Sequence, residues 1–547
     1  MPPSTALTVK ISGLGALRDL LDGEVVTRAD AEWDDARLAW NRAADQWPAA
    51  VVYAESLADV ITVVDYARAG GLGVATQGTG HFASTLDSLA DTILLKTTRM
   101  RRLEIDADAR VARVEAGVLW EDVTLAAAEH GLAALAGSAG DVGVVGYTLG
   151  GGLGWLARRF GLAANSVTAV ELVTADGRHV RADRDNDPDL FWAVRGGGGS
   201  FGVVTAIEFA LYPVSEVYAG ILFFPLERAS EVLGAWREWV DGTPDEVTSV
   251  GRLLQFPQVP DVPEPVRGRS FAIVEAAFIG NEEDGAALLQ PLRELGPVMD
   301  TFGTIPVEEL RFLHMDPPGP VPGAGDGMAL TDLTPEAIAA LVALAGPGSG
   351  SPLLSVELRQ LGGAVAEDSP EHGAVGALDA GFSLYAVGSA ADEEMKAAVE
   401  AHAEKVKAGL APWAAERDHF NFANRPGVAE SFYTADTYRG LQWVKAAYDP
   451  DELFRHPTRS NRQRVRSPPL PREKGPSQTA GLSCFEPVPK RSPVPPGRAG
   501  RRDAASSAAP VASGYERALR PCLARAQRTP ATRRHFGTGS STLPACV

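Results

Sequence analysis

Glycine crowds into three short stretches of the first 215 residues, and this restricts the fold more than any other feature of the chain. Thr76-Gln77-Gly78-Thr79-Gly80-His81 follows a strand-like run, Gly73-Val74-Ala75-Thr76. A long segment from Gly137 to Gly154 holds Gly143, Gly146, Gly150, Gly151, Gly152 and Gly154, and Arg195-Gly196-Gly197-Gly198-Gly199-Ser200-Phe201-Gly202 precedes a β-branched run. Glycine leaves main-chain amides bare and lets a flat ligand lie against the backbone. Around these clusters, short β-branched runs at 48–53, 92–95, 110–116 and 170–173 alternate with helical spacing at 57–69 and 120–130. That alternation reads as an α+β or α/β region built around a ligand.

The first cluster admits two readings. Gly78-x-Gly80-x-x-Ala83 fits a dinucleotide fingerprint, but such a domain wants an acidic residue at the end of the next strand, where Lys96-Thr97-Thr98 stands. A nest of turn amides around a pyrophosphate needs no such acid. No GxxxxGK[ST] occurs, which excludes a P-loop nucleotidase.

Beyond residue 215 the glycine clusters thin out. Helical spacing at 227–240, 335–345 and 391–408 alternates with strands such as Ser270-Phe271-Ala272-Ile273-Val274, predicting a second domain of residues 215–410 in which helices cover a sheet. The stretch 411–460 ends in Tyr448-Asp449-Pro450, a helix stop. Residues 461–547 carry 16 Lys+Arg against 4 Asp+Glu, so this tail holds +12 and residues 1–460 hold −31 of the net −19. Rich in proline and poor in apolar periodicity, the tail is expected to be disordered. The acidic body argues against a nucleic-acid partner.

All three cysteines, Cys484, Cys522 and Cys546, also lie in the tail, so the body offers no disulfide, thiol nucleophile or thiolate metal site. His and carboxylates are not at metal-ligand spacing, and no metal is expected. No run of about 18 apolar residues and no secretory leader pattern is seen, so the expectation is a cytoplasmic protein with no membrane partner.

Five segments in register carry a resemblance: Trp40-Asn41, Gly80-His81, Gly143-Val144-Val145-Gly146 with the triple glycine, Phe191-Trp192-Ala193-Val194-Arg195-Gly196, and Tyr448-Asp449-Pro450. Together they resemble the berberine-bridge-enzyme-like branch of the PCMH-type FAD-linked oxidases, over about residues 30–215 and 410–456. The resemblance implies an α+β fold with a bipartite PCMH-type FAD-binding domain (1–214, returning at 411–460) and an antiparallel-sheet substrate domain with covering helices. Many members serve secondary metabolism. It implies FAD bound covalently to His81 through the flavin 8α-methyl. The family's frequent second, cysteinyl link would fall at Ala139, so single attachment is expected.

By the same resemblance Gly78, Thr79, Gly80, Phe82, Gly137, Ser138, Gly143, Val144, Gly146, Tyr147, Gly150, Gly151, Gly152 and Gly154 line the flavin, Val204 meets its adenosine side, and Asn421 matches the asparagine of a Tyr-x-Asn element whose tyrosine is missing. The implied reaction is hydride transfer to flavin N5 from an alcohol, hemiacetal or amine carbon of a small-molecule substrate, with molecular oxygen as acceptor. A dehydrogenase with another acceptor and a catalytically idle binding module are the alternatives. For catalysis, Ser355, Glu357 and Arg359 share one face of a predicted strand. Glu357 is either a base or substrate-orienting group held ionised by Arg359, or half of an exposed ion pair. Tyr433 stands as a substitute for the missing tyrosine.

Overall fold

In this computed structural model, residues 13–86, 88–260, 262–424 and 429–456 are described, and all fall within one compact unit. The tail after residue 456 lies outside them. Three sheets organise the molecule. The first has Glu24–Val26, Ala50–Tyr53, Thr92–Lys96 and Gly73–Gln77 in that spatial order, the last three parallel. Parallel strands are covered on both faces, which is why Val51, Val52, Ile93, Leu94 and Leu95 are fully buried. Helix Leu57–Gly70 lies in the connection between two of them. Ser56 caps its start by accepting from the Asp59 amide, and Gly71, at φ +62°, closes it in a left-handed turn.

The second sheet is antiparallel: Leu103–Asp106, Val111–Glu115, Val203–Ala210, Val167–Val173 and His179–Asp183. The glycine clusters lie in the connections around these two sheets. The third, eight-stranded sheet is antiparallel and runs Met299–Asp300, Glu216–Pro225, Ser270–Phe278, Val247–Gln255, Ser355–Gln360, Phe382–Ser389 and Gly323–Leu330, with Gly303–Pro306 added beside Glu216–Pro225. Its two faces have different partners. Leu222, Leu253, Val274, Val356, Leu358 and Leu384 pack under helices Ala229–Val240, Pro335–Ala345 and Glu393–Leu410. Ile221, Phe223, Val250 and Ile273 pack on the other face against Trp155, Leu156 and Ala163 of the glycine-rich region.

The chain then returns. Helix Ala435–Tyr448 ends at Asp449, whose buried carboxylate accepts from the amides of Leu453 (2.7 Å) and Phe454 (2.9 Å) and from Lys445 Nζ (2.5 Å). That turn places Val74 between Leu453 and Arg455, so the return adds to the edge of the first sheet. No helix among the described residues is long and apolar enough to cross a membrane.

Candidate active site

Two sets of side chains face each other between the glycine-rich region and the third sheet. On the first side, strand Gly73–Gln77 delivers the Gly78–His81 turn. The His81 ring stacks on Trp40 (centroids 4.0 Å apart, 20° between planes), and its Nδ1 shares a hydrogen bond with the Thr79 hydroxyl at 2.7 Å. Its Nε2 is buried without a hydrogen-bond partner, and the nearest carboxylate, Asp141, stands 3.8 Å away. Asp141 is itself fixed by the Trp40 indole N–H at 2.6 Å. Burial pushes His81 down to about 4, so the imidazole is neutral, the form that has a lone pair to give. The Tyr147 hydroxyl is likewise buried and unpartnered. Lys96, standing where a dinucleotide fold wants an acid, is buried with its Nζ on the Leu38 carbonyl at 2.7 Å.

The glycines divide by what a Cβ would meet. At Gly146 nothing lies within 4 Å, and at Gly78 and Gly143 the nearest atoms are 3.8 Å away. Their missing side chains leave main chain that a flat ligand can approach closely. Gly150, Gly152 and Gly154 differ: a Cβ there would meet Asn421, Tyr147 and the Ala136 carbonyl at 2.9, 2.6 and 1.9 Å. Gly137 and Gly151 would press on Tyr147 and His419, both at 3.0 Å. In the direction of the missing side chain these residues meet protein, so any ligand they line is met by their main chain. Asn421 braces the run, accepting from the Gly152 amide (3.0 Å) and donating to the Tyr147 carbonyl (3.1 Å). Phe82 packs on Phe420, and Val144 and Val204 are core residues, Val204 pairing with Leu172.

The second side is the third sheet. In antiparallel register Arg252 lies opposite Glu357, and Glu357 opposite Tyr385, so these side chains share a face with Ser355, Arg359 and Glu275. It is the face turned toward Trp155, not the one under the helices. The exposed ion pair entertained for this strand is overturned: Glu357 is 3% exposed and Glu275 0%. Arg359 Nε donates to Glu357 at 2.9 Å, and Arg252 donates to Glu275 (3.1 Å) and the Ser355 hydroxyl (2.7 Å). His314 completes the cluster from the loop after the turn Val307–Phe312, with Nδ1 on Glu275 at 2.5 Å and Nε2 on Glu357. Burial pushes the Glu357 carboxyl up, but Arg359 and His314 outweigh it and hold the group well below the carboxylate range.

Sequence reasoning missed His314, Glu275, Arg252 and Asp316. None lies in a motif, and only sheet register and a loop bring them together. Met315, at φ +58°, is in the left-handed region that non-glycine residues avoid. The neighbouring Asp316 accepts from the Ser138 hydroxyl at 2.7 Å, which ties this loop to the glycine-rich segment. Phe422 closes the junction, 5.1 Å under the Arg359 guanidinium and 5.7 Å from Tyr385. Tyr433 does not join the cluster. It is buried in the core of the glycine-rich region with its hydroxyl donating to the Gly196 carbonyl at 2.8 Å.

Residues 48–183 match the model of an FAD binding domain. The structure superposes on 6-hydroxy-D-nicotine oxidase from Arthrobacter nicotinovorans with a TM-score of 0.70 at 25% identity, covering 80% of this chain and 98% of that one. Over residues 48–183 the chain carries an FAD binding domain, and its fold is that of the FAD-linked oxidases it superposes on. The berberine bridge enzyme from Eschscholzia californica shares the fold, at a TM-score of 0.69 and 19% identity over 83% of this chain and 98% of that one. Among FAD-linked relatives in sequence, (R)-6-hydroxynicotine oxidase of Paenarthrobacter nicotinovorans is 28% identical over 80% of this chain and 96% of its own length. An uncharacterized FAD-linked oxidoreductase of Bacillus subtilis is 30% identical over 54% of the chain. The chain covers 64% of that protein's length.

Proposed function

We propose that the protein is an FAD-dependent oxidase of a small polar molecule, removing a hydride from an alcohol, hemiacetal or amine carbon and passing the electrons to oxygen to give hydrogen peroxide. The observation that supports this reading is the charged sheet face, Glu357 with Arg359 and His314, the last on a loop that Asp316 ties to Ser138 of the glycine-rich segment.

The residues fit FAD. Open backbone at Gly78, Gly143 and Gly146 suits a pyrophosphate and a flat ring, and the neutral, half-unpartnered imidazole of His81 suits a bond to the 8α-methyl. Ala139, with no cysteine in the body, leaves His81 as the single attachment. When bound, FAD supplies the two-electron acceptor. The chain's own contribution is to hold the substrate. A carboxylate has about four lone-pair sites, and Glu357 uses them for Arg359 and His314 with capacity left for a substrate hydroxyl or amine. Held so far below neutral pH, it is a weak proton acceptor and an effective anchor. Trp155, Tyr385 and Phe422 wall the charged face and limit water.

The test is a panel of neutral sugars, secondary alcohols and cyclic amines, read by anaerobic bleaching of the flavin and by peroxide release in air. Bleaching with stoichiometric peroxide supports the oxidase. Bleaching without peroxide moves the acceptor to another molecule, and a purified protein that carries no flavin overturns the reading.

A further inference from the structure

We infer that His314 is a positioning residue: its ring, protonated on both nitrogens and clamped between Glu275 and Glu357, fixes the Glu357 carboxylate at the floor of the site and keeps it ionised. This rests on the reading of Glu357 as the substrate anchor. The argument begins with hydrogen-bond inventory. An ionised carboxylate can only accept, and a neutral imidazole has one N–H. His314 Nδ1 lies 2.5 Å from Glu275 and Nε2 contacts Glu357, with Arg359 Nη2 3.2 Å from the same nitrogen. Donation to both carboxylates places a proton on each ring nitrogen, and Arg359 is satisfied by its own Nε bond to Glu357. Each acid has its own guanidinium, Arg252 on Glu275 at 3.1 Å and Arg359 on Glu357 at 2.9 Å, and Arg359 together with His314 holds Glu357 ionised.

The groups facing the ring from every packed element are Glu275 on Ser270–Phe278, Arg252 on Val247–Gln255, Glu357 and Arg359 on Ser355–Gln360, and Asp316 two residues along its own loop. Arg252 also donates to the His314 carbonyl at 2.7 Å, and the Trp155 ring stands edge-on 6.1 Å away. The loop is thus held at main chain and side chain, and the left-handed Met315 turns it so that His314 enters the sheet face while Asp316 reaches Ser138. Glu275, wholly buried and held by Arg252, serves as the far anchor of the clamp rather than as a substrate contact.

The experiment is histidine Cε1 NMR of the flavin-loaded full chain between pH 6 and 10.5, with the His314 signal identified by its loss in His314→Gln. The expected result is an imidazolium at pH 7 whose titration is raised to about 9 by Glu275 and Glu357, against burial and Arg252, and moves to lower pH in Glu275→Gln. With a substrate from the panel, wild type loses kcat/KM across that same alkaline range. His314→Gln abolishes the limb and raises KM about tenfold, with kcat changed less, the loss of one hydrogen bond to a charged anchor. A neutral His314 at pH 7, or a His314→Gln enzyme with unchanged KM and pH profile, overturns the inference. Failure of the functional reading shows separately, as a wild-type holoenzyme that no substrate reduces, and the NMR titration decides the clamp in that case.

Discussion

His314 is buried and His81 half-buried with its Nε2 enclosed, and their surroundings push them in opposite directions. His81 has no acid within hydrogen-bond reach and burial lowers it to about 4; His314 sits between two carboxylates and is raised to about 9. The sign of each contribution to stability follows from linkage. The raised value of His314 gives stability that is complete below about 6.5 and lost as pH rises through 9. In flavin-free protein, the depressed value of His81 gives stability that is complete above about 6.5 and lost as pH falls toward 4. Denaturant midpoints measured from pH 7 to 10 should fall in wild type and stay flatter in His314→Gln. Removing the ring altogether, in His314→Ala, should cost about 3–5 kcal/mol, the penalty for a buried charge that loses its partner. A loss below 1 kcal/mol in urea unfolding would show that the clamp is not closed.

At the scale of elements, the glycine clusters were legible as turns with bare main chain, but their division of labour was not. The sequence spacing treats Gly146 and Gly154 alike, whereas one borders open space and the other abuts the Ala136 carbonyl. Gly154→Ala forces a Cβ onto a backbone atom that cannot yield and should cost roughly 1–3 kcal/mol or more in thermal unfolding. Gly146→Ala should leave the fold intact while lowering flavin content, and equal flavin loading in both variants would contradict flavin binding there. The strand Ser355–Gln360 shows the same limit. Its alternation put Ser355, Glu357 and Arg359 on one face, correctly, yet which sheet face was buried depended on strands at 247–255 and 270–278 and on the loop bearing His314. Register across more than 100 residues leaves no local signal. The Tyr448-Asp449-Pro450 stop was visible as a helix end, while Asp449's role in handing the chain to the first sheet needed the structure. Asp449→Ala removes a buried acceptor from two amides and from Lys445 and should lower the unfolding free energy by about 3–5 kcal/mol.

Across the whole molecule, the α+β class and the likeness to FAD-linked oxidases were readable from five short segments in register, because those segments are held by local geometry. The site could not be read in full, since it is assembled where the glycine-rich region, the loop at 313–316, the third sheet and the return at 419–422 meet. Of these only the first carries a motif. The bonds Ser138–Asp316 and Asn421–Gly152, with Phe422 under Arg359, make one site out of parts distant in sequence. A ligand bound at such a junction stabilises the fold by mass action, so flavin-depleted protein should melt at a lower temperature than the loaded form. The central claim is that FAD is held covalently by His81 alone. The direct measurement is denaturation of the purified protein followed by intact mass and in-gel flavin fluorescence, in wild type and in His81→Ala. The account predicts one FAD of added mass and fluorescence that stays with the wild-type chain, both absent in the variant. Flavin that washes out of the denatured wild type, or added mass that survives in His81→Ala, would contradict it.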